Sequence, residues 1–362
     1  MTSPDRPLRI TVIGAGVVGC YLGGRLARHA DVTLVGRPHV LDPIRELGLT
    51  VEAGGNEGGR LHAPANMLTL ADTPDSVRRA DVVLMCTKAG QTATATAEFA
   101  PLLRPTTLVV GLQNGLHTAD LIREGVDSAP VIAGVVPFNV VRTGPATYRR
   151  TSTGEIRIAE HPRLGPLLRT AAEAGLPLRP TDDIQAVLHG KILMNLNNAV
   201  QALSGLPLRT ELLDRDLRCC VALCQAEANR VFTAAGVVPR VPLAVPAGAL
   251  PIVMRLPTPL FRLLGRAAMR VDADGTSSMN DDLLRGRPTE IDVLQGKVVK
   301  MAGQLGLSAP ACERMVELVR EAEADGENRR RWSGPDLLAE LKRARRRAHR
   351  LARLQQMSGQ SS

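Results

Sequence analysis

Residues 8–20 read LRITVIGAGVVGC, an apolar run that ends in Gly14-Ala15-Gly16-Val17-Val18-Gly19. Nothing else in the chain restricts its fold so narrowly. A strand that closes in Gly-x-Gly-x-x-Gly and turns into a helix is the opening of a βαβ unit that holds a dinucleotide. Gly14 permits the tight turn, Gly16 lets the backbone approach a pyrophosphate, and Gly19 lets helix lie against strand. The helix N-terminus then faces the phosphates with Val17 and Val18 in its first turn. Glycines also occur in ordinary strand-to-helix turns, so the rest of the chain has to decide.

Further apolar runs follow in DVTLVG, DVVLMCT, TTLVVGL and PVIAGVVPF, separated by stretches of helical spacing. Such alternation predicts a parallel sheet covered by helices over residues 1–180, a Rossmann-type α/β domain. Past Thr181 the strand pattern stops, and DIQAVLHGKILMNLNNAVQAL, DLRCCVALCQAEANRVFTAAG, SMNDDLLRG and EIDVLQGKVVKMAGQLG carry apolar residues at helical spacing. An all-helical second domain is predicted over 181–324. The proline-rich stretch VVPRVPLAVPAGALPIVMRLPTP reads as loop plus short helix. In RPTEID, Thr289 or Pro288 stands at the start of a helix that carries Glu290.

In a dinucleotide site the second strand usually ends in an acidic residue, about 20 residues on, that binds a ribose hydroxyl. VTLVGRPH offers Arg37 instead. A guanidinium there matches a 2′-phosphate, which favours NADP(H) over NAD(H), with a solvated surface arginine as the plain alternative. Lys88 in CTKAGQ and Asn114 in LQNG fall at the carboxyl ends of later strands, where α/β folds bind ligands. In the helical region Lys191, Asn195 and Asn198 are spaced by four and three, so an ammonium and two amides share a helix face. A lysine among core residues is costly to bury unless it is paired or used, and desolvation lowers its pKa toward the range of a proton donor. A lysine whose head reaches solvent at a domain edge would look the same. Ser278, Asp282 and Glu290 follow on or near two later helices.

Charge and cysteine usage exclude several function classes. Lys and Arg number 45 against 36 Asp and Glu, a formal charge of +9. Residues 325–362 hold ten Lys/Arg and four Asp/Glu, so +6 of it lies in a tail expected to be one basic helix with a disordered end. The body is only mildly basic, which argues against nucleic acid as partner. Six cysteines are scattered without zinc-type spacing and read as reduced thiols. With no targeting segment and no long apolar run, the sequence predicts a cytoplasmic protein that binds neither metal nor membrane.

The patches VIGAGVVG, CTKAGQ, LQNG, GKILMN, SSMNDD and RPTEIDVLQG, taken together and in this order, resemble the 2-dehydropantoate 2-reductase (ketopantoate reductase) family. The likeness runs from about Arg9 to Gly306 and leaves out the tail. It implies a Rossmann domain followed by a helical domain, with NADPH and substrate in the cleft between them, a small-molecule 2-oxo acid partner, and room for a homodimer. The implied activity is reduction of the ketone of 2-dehydropantoate to (R)-pantoate, on the route to pantothenate and coenzyme A. The cofactor would meet Gly14 to Gly19, Arg37, Lys88 and Asn114. Lys191 would be the catalytic proton donor, Glu290 the acid that reaches cofactor or lysine, and Asn195, Asn198 and Ser278 substrate ligands. The chain departs from the family at Ala199, where a second asparagine is common, and at Leu208. Another branched 2-oxo acid or an imine is therefore an alternative substrate, and a non-catalytic NADP(H)-responsive binding protein is a further alternative.

Overall fold

The computed structural model describes residues 6–53, 59–264 and 275–359. The chain divides into two compact units, Met1–Ile184 and Gln185–Ser362. Strands of the first unit are β1 (Leu8–Ile13), β2 (Ala30–Val35), β3 (Leu49–Glu52), β4 (Arg60–Ala63), β5 (Leu68–Ala71), β6 (Val82–Met85), β7 (Leu108–Gly111), β8 (Val131–Val135), β9 (Val140–Gly144), β10 (Thr147–Arg150), β11 (Ile156–Ala159) and β12 (Leu178–Thr181). Its helices are α1 (Val17–Leu26), α2 (Pro38–Leu47), α3 (Thr92–Phe99), α4 (Thr118–Glu124) and α5 (Gly165–Glu173).

Eight strands form one sheet in the order β12-β11-β8-β7-β6-β1-β2-β5, parallel except where β11 meets β8. After β1 the chain builds outward through β2 to β5, then returns to add β6 on the other side. The strand order therefore reverses beside β1, the position at which open α/β sheets bind ligands. Along β1, Ile10 and Val12 belong to the apolar cluster shared with α1 and α5, whereas Ile13 joins Met85, Val109, Phe99 and Ile122 in the cluster under α3 and α4. Period-two alternation with both faces buried makes this a central strand. All five strand runs read from the sequence lie in this sheet. A second sheet, β4-β3-β10-β9, pairs β3 with β10 in parallel and was not read from the sequence.

The described part of the second unit is helical: α6 (Ile184–Asn195), α7 (Asn197–Ser204), α8 (Leu208–Leu213), α9 (Arg215–Ala234), α10 (Leu250–Arg255), α11 (Thr258–Leu264), α12 (Ser278–Leu284), α13 (Gln295–Gln304), α14 (Pro310–Asp325) and α15 (Gly334–Gly359). The proline-rich stretch supplies a loop and then α10 and α11, one short helix more than expected; residues 265–274 lie outside the described residues. Two expectations are corrected. The Lys191 helix is interrupted at Leu196, where α6 gives way to α7. Glu290 does not sit on a helix: it precedes a single 3-10 turn, Ile291–Val293, and Leu294 (φ −104°, ψ −97°) leaves helical geometry before α13 begins. The basic tail is helical to Gly359, and Leu337, Leu338 and Leu341 are buried where α15 packs on α9 and α14. Its expected disordered end falls on residues 360–362, outside those described.

Candidate active site

In the first unit, sheet register gathers the loops. Ile13 pairs with Val35 on β2 and with Met85 on β6, and Met85 pairs with Gly111 on β7. Four parallel strands thus end in one row, and the segments after them carry the Gly14 turn, Arg37, Lys88 and Asn114 at the same edge of the sheet.

The three glycines of the turn are required for different reasons. Gly14 has φ +98°, and a Cβ there would stand 2.7 Å from the backbone nitrogen of Thr87. A Cβ on Gly19 would lie 2.2 Å from the Gly14 carbonyl oxygen, so this glycine sets how closely α1 packs on the turn. Around Gly16 the space is open: a Cβ would meet nothing within 4 Å. Gly16 is also the N-cap of α1, with no side-chain cap and no acidic residue in the first turn. Gly16 and Val17 are exposed, Val18 half-buried and Ala15 buried. Uncapped N–H groups at the positive end of a helix, beside unfilled space, fit a phosphate. Gly14 and Ala15 both donate their backbone N–H to the Val35 carbonyl, at 3.0 and 2.9 Å, which ties the turn to the end of β2.

Arg37 is the exposed N-cap of α2, and its guanidinium makes no hydrogen bond or ion pair among the described residues. It is a cation open to an anionic partner. Lys88 is exposed and caps a 3-10 turn, Ala89–Gln91; Asn114 is half-buried after β7. The sequence reading missed what steadies these two loops. Buried Gln113 donates from Nε2 to Thr87 Oγ1 (3.2 Å) and Thr92 Oγ1 (2.8 Å), and Thr92 donates to the Ala89 carbonyl (2.8 Å). Gly36 was missed too: a Cβ there would lie 2.5 Å from that of Ala15. A glycine at a strand end was the available signal for it; Gln113 carried none.

In the second unit, Lys191 and Asn195 occupy the last turns of α6 and Asn198 the first turn of α7. All three are half-buried, while Ile192, Leu193, Leu196, Ala199 and Val200 are buried. The three residues thus share partial exposure, although the interruption divides them between two helices. Burial pushes the Lys191 ammonium down to about 8, with the Glu290 carboxylate acting against that fall. Lys191 is thus a cation held close to neutral pH by two opposed effects. Next to it, Gly190 lets another segment cross α6: a Cβ would lie 2.0 Å from the Arg240 carbonyl oxygen, and Arg240 N donates to Ala186 O at 2.8 Å. An isolated glycine within a helical pattern was the signal for such a crossing.

Ser278 is exposed in the first turn of α12, and its neighbour Ser277 is the buried cap. Ser277 Oγ accepts from Asn280 N (3.2 Å) and donates to Gln201 Oε1 (2.7 Å), which also accepts from Ser277 N (3.1 Å). Gln201 Nε2 in turn donates to Leu206 O (2.7 Å). Fully buried Gln201 thereby fixes α12 on α7 and holds Ser278 near the Asn198 turn. Asp282 is buried on the same helix. Among the described residues no cluster of side chains could hold a metal ion, and no helix is long and apolar enough to cross a membrane. All six cysteines are free thiols.

The family described as ketopantoate reductase PanE/ApbA matches residues 10–163, and its C-terminal counterpart matches residues 183–323. A 2-dehydropantoate 2-reductase of Halobacterium salinarum is 29% identical over 336 residues, which cover 88% of this chain and all of the relative. The crystal structure of a PanE/ApbA family ketopantoate reductase from Ralstonia eutropha JMP134 superposes with a TM-score of 0.74 at 28% identity, covering 88% of this chain and 100% of the other. D-mandelate dehydrogenase, solved with NADH and anilino(oxo)acetate, has the same fold: its TM-score is 0.71 at 20% identity, over 88% of this chain and 99% of that one.

Proposed function

Because the chain belongs to the ketopantoate reductase family, we propose that it is an NADPH-dependent reductase that converts 2-dehydropantoate to (R)-pantoate, with Lys191 as proton donor. The observation that carries this reading is the half-buried Lys191, which burial brings down to about 8 against the influence of Glu290, near the half-buried amides Asn195 and Asn198 in the sequence. A general acid works best when its pKa lies near the working pH.

The nucleotide side is supplied by the first unit. The open N-terminus of α1 and the space at Gly16 would hold phosphates, and the Arg37 guanidinium would hold a 2′-phosphate. Lys88 and Asn114 border the same edge. When bound, the dinucleotide supplies a hydride to the ketone carbon.

The acid-base side is supplied by the second unit. Negative charge gathers on the ketone oxygen in the transition state, and the Lys191 Nζ–H group stabilises it and then gives up its proton to that oxygen. Glu290 keeps the ammonium charged beforehand. Asn195, Asn198 and Ser278 hold the carboxylate and hydroxyl groups of the substrate, so that the ketone is oriented before reaction.

At residue 199, where the family resemblance would put an asparagine, Ala199 is fully buried, while Asn198 is half-buried. This supports Asn198 as the substituting amide. A different branched 2-oxo acid is the second reading, and that substitution is the observation in its favour.

A panel of 2-oxo acids assayed with NADPH and NADH separates the two. The proposal expects the highest kcat/KM on 2-dehydropantoate with NADPH. It also expects Arg37→Ala to raise KM for NADPH while leaving that for NADH nearly unchanged. A best substrate elsewhere in the panel moves the assignment to the second reading, and equal use of both dinucleotides by the wild type removes Arg37 from cofactor choice.

A further inference from the structure

The interruption between α6 and α7 falls between Asn195 and Asn198, and buried polar side chains from three other helices converge on it. Gln225 of α9 donates to Leu193 O at 3.3 Å, and Gln295 of α13 donates to Leu196 O at 2.8 Å. From α8, Glu211 accepts the Asn197 Nδ2–H group at Oε2, at 3.2 Å. Glu211 has no exposed surface.

This last pair is incompletely bonded as it stands. Glu211 Oε1 and Asn197 Oδ1 are both buried, and both lack a hydrogen-bond partner among the described residues. Each is an acceptor when Glu211 is ionised, so neither can satisfy the other. One added proton changes that, because a carboxylic acid and a carboxamide can exchange two hydrogen bonds face to face. A buried acceptor without a donor is costly, and a single proton on Oε1 would relieve two of them.

We infer that Glu211 stands in the folded protein as a neutral carboxylic acid, its Oε1–H donating to Asn197 Oδ1 while Asn197 Nδ2 donates to Oε2. This reciprocal pair fixes the break that places Asn195 and Asn198. Glu211 is thus a positioning residue for the candidate site.

Its surroundings favour the neutral form. No ion pair reaches Glu211 among the described residues, and the α7 segment packed on it has no ionisable side chain. On its own helix Arg209 is exposed, and Asp214 just beyond adds like charge. The start of α9 brings Arg215, Asp216, Arg218 and Cys220. The Arg218 guanidinium donates to the carbonyl oxygens of Met254, Leu212 and Leu256. Burial keeps the Cys220 thiol protonated. Burial likewise pushes Glu211 up to about 8 from an ordinary 4.5.

The full-length protein and Glu211→Gln are to be melted from pH 5 to pH 9. Between about 4.5 and 8 the folded form keeps a proton that the unfolded chain has released, so wild-type stability falls as pH rises through that window. Glutamine reproduces the reciprocal pair without titrating. The Tm advantage of Glu211→Gln over wild type should therefore grow from pH 5 to pH 8. A difference that stays flat, or one that increasingly favours wild type, overturns the inference.

The catalytic half rests on the proposed reduction, and kcat and KM report on it separately. Glu211→Gln should keep kcat within about twofold, whereas folded Glu211→Leu should lose about tenfold or more. Equal losses, or equal retention, in the two variants exclude the positioning role. Should Glu211→Leu not fold, the Glu211→Gln result decides alone, with a kcat loss beyond twofold counting against the role. Wild type that turns over no 2-oxo acid would refute the proposed function, while the melting comparison would still judge the pair.

Discussion

Gly16 and Gly19 stand three residues apart in one turn and should respond to the same substitution in opposite ways. Alanine at 19 would press on the Gly14 carbonyl oxygen, an overpacking that costs about 1–3 kcal/mol and lowers Tm. Alanine at 16 meets no protein atom, so Tm should hold while affinity for the dinucleotide falls. Melting and nucleotide titration of both variants check this; a Gly16→Ala protein with unchanged affinity would remove the turn from phosphate binding. Lys191 makes a pH prediction of equal directness. In the proposed reduction protonated Lys191 would be the donor, so kcat should be level at neutral pH and fall above about 8 as the ammonium is lost. Lys191→Arg should carry the falling limb out of the accessible range, because a guanidinium keeps its proton there. A reduction rate that rises through pH 8 would contradict the assignment. These residues were legible in the sequence because each breaks a local pattern, a glycine after a strand or a lysine in an apolar helix. Gln113, Gln201 and Glu211 were not, since their partners come from other elements and local spacing says nothing of them.

Between elements, the contact of α7 with α12 depends on one buried amide. Gln201 satisfies the Ser277 backbone and hydroxyl and the Leu206 carbonyl together. Gln201→Leu leaves the buried Ser277 N–H without its partner, at about 1–3 kcal/mol for a group so stranded. The expected signature is a lower Tm with a rise in substrate KM, since Ser278 and Asn198 lose their mutual support; an unchanged KM would show that α12 does not place a substrate ligand. Strands β1, β2, β6, β7 and β8 were legible because strands buried on both faces read as unbroken apolar runs. β3, β4, β9 and β10 are short and carry residues such as Glu52, Arg60, Arg142 and Arg149, so their pairing is set by tertiary contacts rather than by pattern. The break at Leu196 was hidden for a related reason: the residue keeps helical angles (φ −57°, ψ −19°), and only side chains from distant helices mark the interruption.

For the molecule as a whole, the basic C-terminal helix has two unlike halves. Its first turns bury Leu337, Leu338 and Leu341, and Glu340 pairs with Arg314 of α14 at 2.9 Å. Truncation before Gly334 should destabilise the second unit severely, at about 1.5–3 kcal/mol for each buried leucine lost. Removal of residues 350–362 should change stability by no more than about 0.5 kcal/mol. Chemical denaturation of the two truncations tests the contrast, and equal effects would refute it. Charge counting marked this segment only as a basic helical tail, because its arginines outnumber the three leucines that anchor it. In the proposed reaction the first unit would bind the dinucleotide and Lys191 of the second would protonate a ketone. Its most direct test is NADPH oxidation followed with 2-dehydropantoate for wild type and Lys191→Ala side by side. The wild type should turn over, and the variant should lose at least about 10²-fold in kcat with NADPH still bound. A wild type that leaves NADPH unoxidised, or an alanine variant that turns over at the wild-type rate, would contradict it.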